Sequence, residues 1–218
     1  MKKICVFDLD GTLVDSIHDI ADTINRNLEK LGKKTYPVDE YYQMVGEGMA
    51  SLCHRALPDG TEEEIENFFK VYREDYLHNC CVKTYPYDGI PDLLRTLQES
   101  GMRLVIITNK PQEHTDVIVE KLLGKENFSY VIGTGGPFPR KPDTASMEFI
   151  METFDVKPEE IWHIGDSDID MIFGKNAGVD TIGVTWGFRG EQELRSSGAT
   201  AIVNDVPALA DYIAKNRS

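Results

Sequence analysis

Six short apolar runs punctuate the chain: Ile4–Phe7, Leu104–Ile107, Tyr130–Ile132, Ile161–Ile164, Thr181–Val184 and Ala201–Val203. Each gives way to polar or glycine-rich residues. Runs this short and continuous predict strands buried on both faces. Between most of them the period becomes helical. Ile90, Leu93, Leu94 and Leu97 share a face before Gly101, and the spacing returns in Val117, Ile118 and Leu122 after Pro111 and in Met147, Ile150 and Phe154 after Pro142. Strands alternating with helices predict right-handed βαβ units. The expected fold is therefore α/β, with a doubly wound, Rossmann-like parallel sheet.

One stretch breaks the alternation. Ile17, Ile20, Ala21, Ile24, Leu28 and Leu31 form a single stripe, with Ser16 and Asp19 resembling a capping pair and Gly32 as a stop. Thr61 and Glu64 open a second helix whose face carries Ile65, Phe68, Phe69, Tyr72 and Tyr76. Shorter helical patterns, Tyr41–Val45 and Met49–Leu57, meet at Gly46-Glu47-Gly48. A run of helices directly after the first strand predicts a separate small helical domain, residues 16–83, inserted into a core of residues 1–15 and 84–218. Its hinges fall near Asp15 and Tyr85-Pro86.

Charge narrows the picture. Among 218 residues there are 23 Lys and Arg against 37 Asp and Glu, a formal net charge of −14. A surface this acidic argues against a nucleic-acid or anionic-membrane partner. An anionic substrate would have to meet a metal or a few placed lysines. Lys2-Lys3 precede only four apolar residues, and no uncharged stretch approaches the ~18 residues of a membrane span. The four cysteines lack C-x-x-C spacing, so free thiols in a reducing cytoplasm are expected. The oligomeric state is left open.

Ligands of open α/β sheets sit at the carboxyl ends of the strands. After the first apolar run comes Asp8-Leu9-Asp10-Gly11-Thr12, after the second Thr108-Asn109, in the loop after the third Lys141, and after the fourth Gly165-Asp166-Ser167-Asp168-Ile169-Asp170. Asp8 and Asp10, two apart, face the same side of an extended chain. Carboxylates forced together repel unless a cation or shared proton relieves them. Oxygen donors without a His or Cys cluster favour Mg²⁺ over zinc. A calcium loop is excluded by spacing: Gly11 is fourth from Asp8 where an EF-hand needs the sixth, and Met171 stands where the second acidic run would need glycine.

These four elements, Asp8-Leu9-Asp10-Gly11-Thr12, Thr108-Asn109, Lys141-Pro142 and Gly165-Asp166-x-x-x-Asp170, resemble in order the four motifs of the haloacid dehalogenase superfamily of phosphohydrolases. The helical insertion looks like the cap domain of its first subclass. Val45-Gly46-Glu47-Gly48 with Arg55-Ala56-Leu57, Tyr85-Pro86 and Thr108-Asn109-Lys110-Pro111 look like the phosphoglycolate phosphatase branch. The resemblance implies a Mg²⁺-dependent phosphatase acting on a small phosphorylated metabolite, phosphoglycolate first, through an aspartyl-phosphate. It implies Asp8 as nucleophile and Asp10 as acid and base. Asp8, the Asp10 carbonyl and Asp166 would hold the metal, and Asp170 a metal-bound water. Thr108, Asn109 and Lys141 would bind the phosphoryl oxygens.

Other residues carry weaker expectations. Gly46, Glu47, Gly48 and Arg55 are candidates for substrate specificity, although Arg55 could equally pair with a nearby acid. Lys110, directly after Asn109, points toward substrate or solvent, with solvent the expectation because lysines are usually exposed. His163, Trp186 and Phe188 are expected to be packing residues. A sugar phosphomutase, pyrophosphatase or nucleotidase of the same superfamily remains open, as does, from another class, a phospho-accepting receiver domain. The insertion and the position of Asp8 at the end of the first strand oppose the receiver.

Overall fold

The computed structural model describes residues 1–217. Six strands, β1 (Ile4–Phe7), β4 (Arg103–Pro111), β5 (Tyr130–Thr134), β6 (Ile161–Gly165), β7 (Asp180–Val184) and β8 (Ala201–Val203), form one sheet in the order β5-β4-β1-β6-β7-β8. Every pairing in it is parallel. The strand order reverses about β1, which opens a crevice at the carboxyl ends of β1, β4 and β6, as doubly wound sheets do at their switch point.

The period of two along the strands explains the layers. Cys5 and Phe7 join Leu104, Ile106, Trp162 and Ile164 in one core cluster; Ile4 and Val6 join Val105, Ile107 and Ile161 in another. The first cluster is closed by α5 (Ile90–Glu99) and α10 (Val206–Asn216), through Leu93, Leu94, Leu209 and Ile213. The second is closed by α7 (Ala145–Phe154) and α8 (Asp168–Ala177), through Met147, Ile150 and Phe173. Both faces are thus apolar, which is why the strands read as unbroken hydrophobic runs.

The inserted segment carries α1 (Ile17–Lys30), α2 (Val38–Met44), α3 (Met49–Ala56) and α4 (Glu62–Asn79). Its apolar stripes, including Ile20, Ile24, Leu28, Tyr41, Phe68, Tyr72 and Tyr76, are buried in the same cluster as Leu9 and Leu13. Thr61 and Glu64 form a reciprocal cap at the start of α4. The segment leaves and returns through a two-residue antiparallel ladder, β2 (Val14–Asp15) against β3 (Tyr85–Pro86).

Ser16 and Asp19 are not the capping pair that their spacing predicts; α1 starts without a side-chain cap. Ser16 instead donates to Asp10, and the buried Asp19 carboxylate accepts from the backbone of Val82, Lys83 and Thr84 and from the Thr84 hydroxyl, at 2.7–2.9 Å. Asp19 therefore ties α1 to the return linker. Asp19→Ala should cost about 3 kcal/mol or more in urea denaturation, since each stranded buried donor costs ~1–3 kcal/mol. Asp19→Asn, which keeps an acceptor, should lose less. Equal stability of Asp19→Ala and the wild type would refute this role.

Candidate active site

The crevice at the strand ends is a cavity of about 60 Å³ between the sheet and the helical insertion. Asp8, Asp10, Thr108, Asn109, Lys110 and Asp166 line it from below, and Gly46, Gly48, Leu52, Tyr72 and Tyr76 from above. Asp8 continues β1, its N–H donating to Ile164 of β6 at 2.9 Å. The chain then turns sharply at Gly11, where φ is +81° and a Cβ would collide with the Asp166 carboxylate. Glycine is required twice over: for the left-handed backbone and for the approach of β6's end to that of β1.

Lys141 Nζ lies 2.9 Å from Asp8 Oδ1 and 2.6 Å from Asp170 Oδ1, with its side chain 3% exposed. The contact with Asp8 is off hydrogen-bonding angles, so the buried Oδ1 has no hydrogen-bond partner. Burial is the main force pushing the Asp8 carboxyl up to about 6, and Lys141 opposes it. Burial also works against the Lys141 ammonium, but Asp170 and Asp8 together hold it above the usual lysine range.

Asp166 accepts from the Thr12 hydroxyl at 3.2 Å and from the Phe188 N–H at 2.7 Å. Burial, then the charges of Asp170 and Asp8, push its carboxyl well above the ordinary range. Asp8, Asp166 and Asp170 each present a carboxylate oxygen within 4.8 Å of the others. An orphaned oxygen and a like-charged cluster with no His or Cys are what a hard divalent cation would relieve.

Asp170, the residue expected to hold a metal-bound water, is bonded on both oxygens by protein groups. Its Oδ1 accepts from Lys141 and His163 Nε2, its Oδ2 from the N–H and hydroxyl of Ser167. Four contacts fill a carboxylate, so Asp170 is taken up in fixing Lys141. Burial opposes its ionisation, yet Lys141 and His163 hold it well below the ordinary carboxylate range. His163 is buried, as its apolar run suggests, but it is this polar support as well as packing. Asn109 likewise spends its side chain on protein: Oδ1 accepts from the Lys141 N–H at 2.8 Å, and Nδ2 donates to the carbonyls of Lys141 and Gly46. Thr108 lines the cavity, and its hydroxyl accepts from the Lys110 N–H at 3.3 Å.

Lys110 corrects its expectation outright. It is buried, its Nζ 2.9 Å from both oxygens of Asp10 and 2.9 Å from the Tyr76 hydroxyl. Ser16 also donates to Asp10, at 2.5 Å. Asp10 thus sits between a core lysine and the base of α1.

Above the cavity, Gly46 and Gly48 belong to the lining, whereas Glu47 and Arg55 do not. Arg55 pairs with Glu47 and donates to the Met44 carbonyl, the acid-paired alternative of the sequence reading. The arginine that the sequence reading missed is Arg189, which lines the cavity. It donates to the carbonyls of Tyr42 and Val45 and pairs with Glu193. Its position directly after β7 was a usable signal, since the same strand-end rule applies there. Phe188 also lines the cavity and supplies a backbone donor, and Trp186 Nε1 donates to the Thr12 carbonyl at 3.1 Å; neither is merely packing.

The comparisons agree with this geometry. Residues 5–184 match the family model for haloacid dehalogenase-like hydrolases. A phosphoglycolate phosphatase of Psychrobacter arcticus is 34% identical over 222 residues, 98% of this chain and 96% of that one. One of Aquifex aeolicus is 33% identical, covering 85% of this chain and 86% of its own. The crystal structure of a Lactobacillus delbrueckii protein assigned as a phosphoglycolate phosphatase superposes with a TM-score of 0.92 at 30% identity, over 98% of this chain and 99% of that one. Among the described residues no helix is long and apolar enough to cross a membrane. The chain belongs to the haloacid dehalogenase-like hydrolases and is a phosphatase of their phosphoglycolate phosphatase-like branch.

Proposed function

We propose that this phosphatase hydrolyses a small phosphomonoester, phosphoglycolate being the first candidate, through an aspartyl-phosphate on Asp8, with Mg²⁺ as its cofactor. The observation that carries the reading is the buried Asp8 carboxylate at the cavity floor, beside Lys141 and clustered with Asp166 and Asp170, with Asp10 on the same wall. Asp8 attacks phosphorus in line and the ester bond to the leaving oxygen breaks. Asp10 gives that oxygen its proton, then takes one from the water that cleaves the acyl phosphate. Lys141, fixed by Asp170 and Asn109, and the Thr108 hydroxyl face the phosphoryl oxygens. Asp8, the Asp10 carbonyl and Asp166 would hold Mg²⁺, which supplies charge neutralisation for the phosphoryl group and the attacking carboxylate.

Residues 16–83 act in this reading as a cap. Arg189, Asn109 and Arg140 fasten the loop around Gly46-Glu47-Gly48 to the core, through the carbonyls of Tyr42, Val45, Gly46 and Glu47. Closure keeps water from the first step, and opening admits it for the second. The thiol state of Cys5, Cys53, Cys80 and Cys81 supports a cytoplasmic setting.

A panel of phosphorylated metabolites, assayed with Mg²⁺ and again with chelator, tests the reading. Phosphoglycolate should be among the best substrates, and chelation should abolish turnover. Melting temperature gives a second readout. Carboxyls raised by burial, such as Asp8 at about 6, favour the folded state when protonated and cost stability as pH rises through that value. Mg²⁺ should therefore raise the melting temperature more at pH 7.5 than at pH 5. No shift at either pH would count against a cation at these acids.

A further inference from the structure

Three cations reach the centre, and each is paired within the protein. Lys141 is held between Asp8 and Asp170, and Arg189 is spent on two carbonyls and Glu193. Of the three, Lys110 is the one that pairs with Asp10. Its Nζ bonds Asp10 twice and Tyr76 once, and lies 4.6 Å from the centre of the Tyr76 ring, with its side chain 4% exposed. The same cavity is lined by Ile20, Val45, Met49, Leu52 and Tyr72, and by Arg189.

Position follows from chemistry. A proton donor sits about 2.6–3.2 Å from the oxygen it serves, so the ester oxygen of a bound substrate lies against Asp10. Lys110 Nζ is 2.9 Å beyond that carboxylate. An atom two or three bonds along the leaving group from the ester oxygen falls within its reach. A carboxylate there would stand beside Asp10, an expensive place for a buried charge without a cation of its own.

We infer that Lys110 is a specificity-determining residue: it takes an anionic group on the leaving group, exchanging one Asp10 contact for it beneath Tyr76. The substrate class is then small phosphomonoesters of hydroxy acids. A neutral leaving group offers Nζ nothing in exchange. This rests on the phosphatase reading and goes beyond it by naming the residue that selects.

The test compares 2-phosphoglycolate with ethyl phosphate, similar in size but without the carboxylate, in the wild type and Lys110→Met. The ratio of the two kcat/KM values should fall by at least about tenfold in the variant, because a site built to pair a polar group rejects the analogue lacking it. Lys110→Arg, which keeps a cation, should retain most of the preference. A role confined to positioning Asp10 would lower both substrates in proportion; an unchanged ratio therefore overturns the inference. Calorimetry on Asp8→Asn protein, with and without Lys110→Met, decides the matter without turnover. Phosphoglycolate should bind at least tenfold tighter than ethyl phosphate only when Lys110 is present, and equal affinities overturn the proposal. If the wild type hydrolyses neither ester, the phosphatase reading fails while the binding comparison still judges Lys110.

Discussion

Asp8→Asn should lower phosphatase turnover by about 10⁴-fold or more, the scale seen when a covalent nucleophile is removed, while circular dichroism and the melting curve report an intact fold. Asparagine is nearly isosteric, so the β1 end and its hydrogen bond to Ile164 survive. What is lost is the anionic oxygen. The Lys141 ammonium beside it keeps its second partner, Asp170, at 2.6 Å, so the variant leaves no buried charge alone. Wild-type enzyme quenched in acid during turnover of a ³²P-labelled ester should carry label that base releases, and Asp8→Asn should carry none. A variant keeping activity within tenfold of the wild type would put the nucleophile elsewhere. Repeated turnover also separates this enzyme from a receiver domain, which holds its phosphate.

Lys141→Met should damage both stability and catalysis. The ammonium is the shared partner of two carboxylates, and its side chain is almost fully enclosed. Methionine fills the volume but leaves Asp8 and Asp170 facing each other in low dielectric. Removing one partner of a buried ion pair costs about 3–5 kcal/mol, readable as a shift in the urea midpoint at neutral pH. Asp170, depressed chiefly by Lys141 against the effect of its burial, contributes stability that is present at neutral pH and lost as acid protonates it. The gap between variant and wild type should accordingly narrow below about pH 4. Catalysis should fall by at least about 10²–10³-fold, the usual loss for one donor to a developing oxyanion. A variant as stable as the wild type across this range would show that the triad of Lys141, Asp8 and Asp170 is not the electrostatic keystone.

The layout of the sheet was readable because each strand is buried on both faces and so appears as an uninterrupted apolar run, and because open sheets gather function at one edge. Asp8, Asp10, Asp166, Thr108 and Lys141 could be located by that rule alone. Contacts between the insertion and the core could not. Lys110 stays between solvent and substrate in a one-dimensional reading, since nothing near it in sequence reveals that Tyr76, 34 positions earlier, closes over its amine. Arg55 and Arg189 are equally plausible ligands on paper; only the fold turns one toward Glu47 and the other into the cavity. Ser16 and Asp19 have capping spacing but are claimed by tertiary partners, Asp10 and the return linker. A two-residue ladder such as Val14–Asp15 with Tyr85–Pro86 is too short to leave any periodicity.

That short ladder has an architectural consequence. The outgoing and returning strands cross side by side, Val14 against Pro86 and Asp15 against Tyr85, so the roof is plugged into its base through a single narrow socket. A differently shaped roof could be grafted onto the same base without resewing one hydrogen bond of the six-stranded floor, provided that it brought its own partners for Asn109, Lys110 and Arg189.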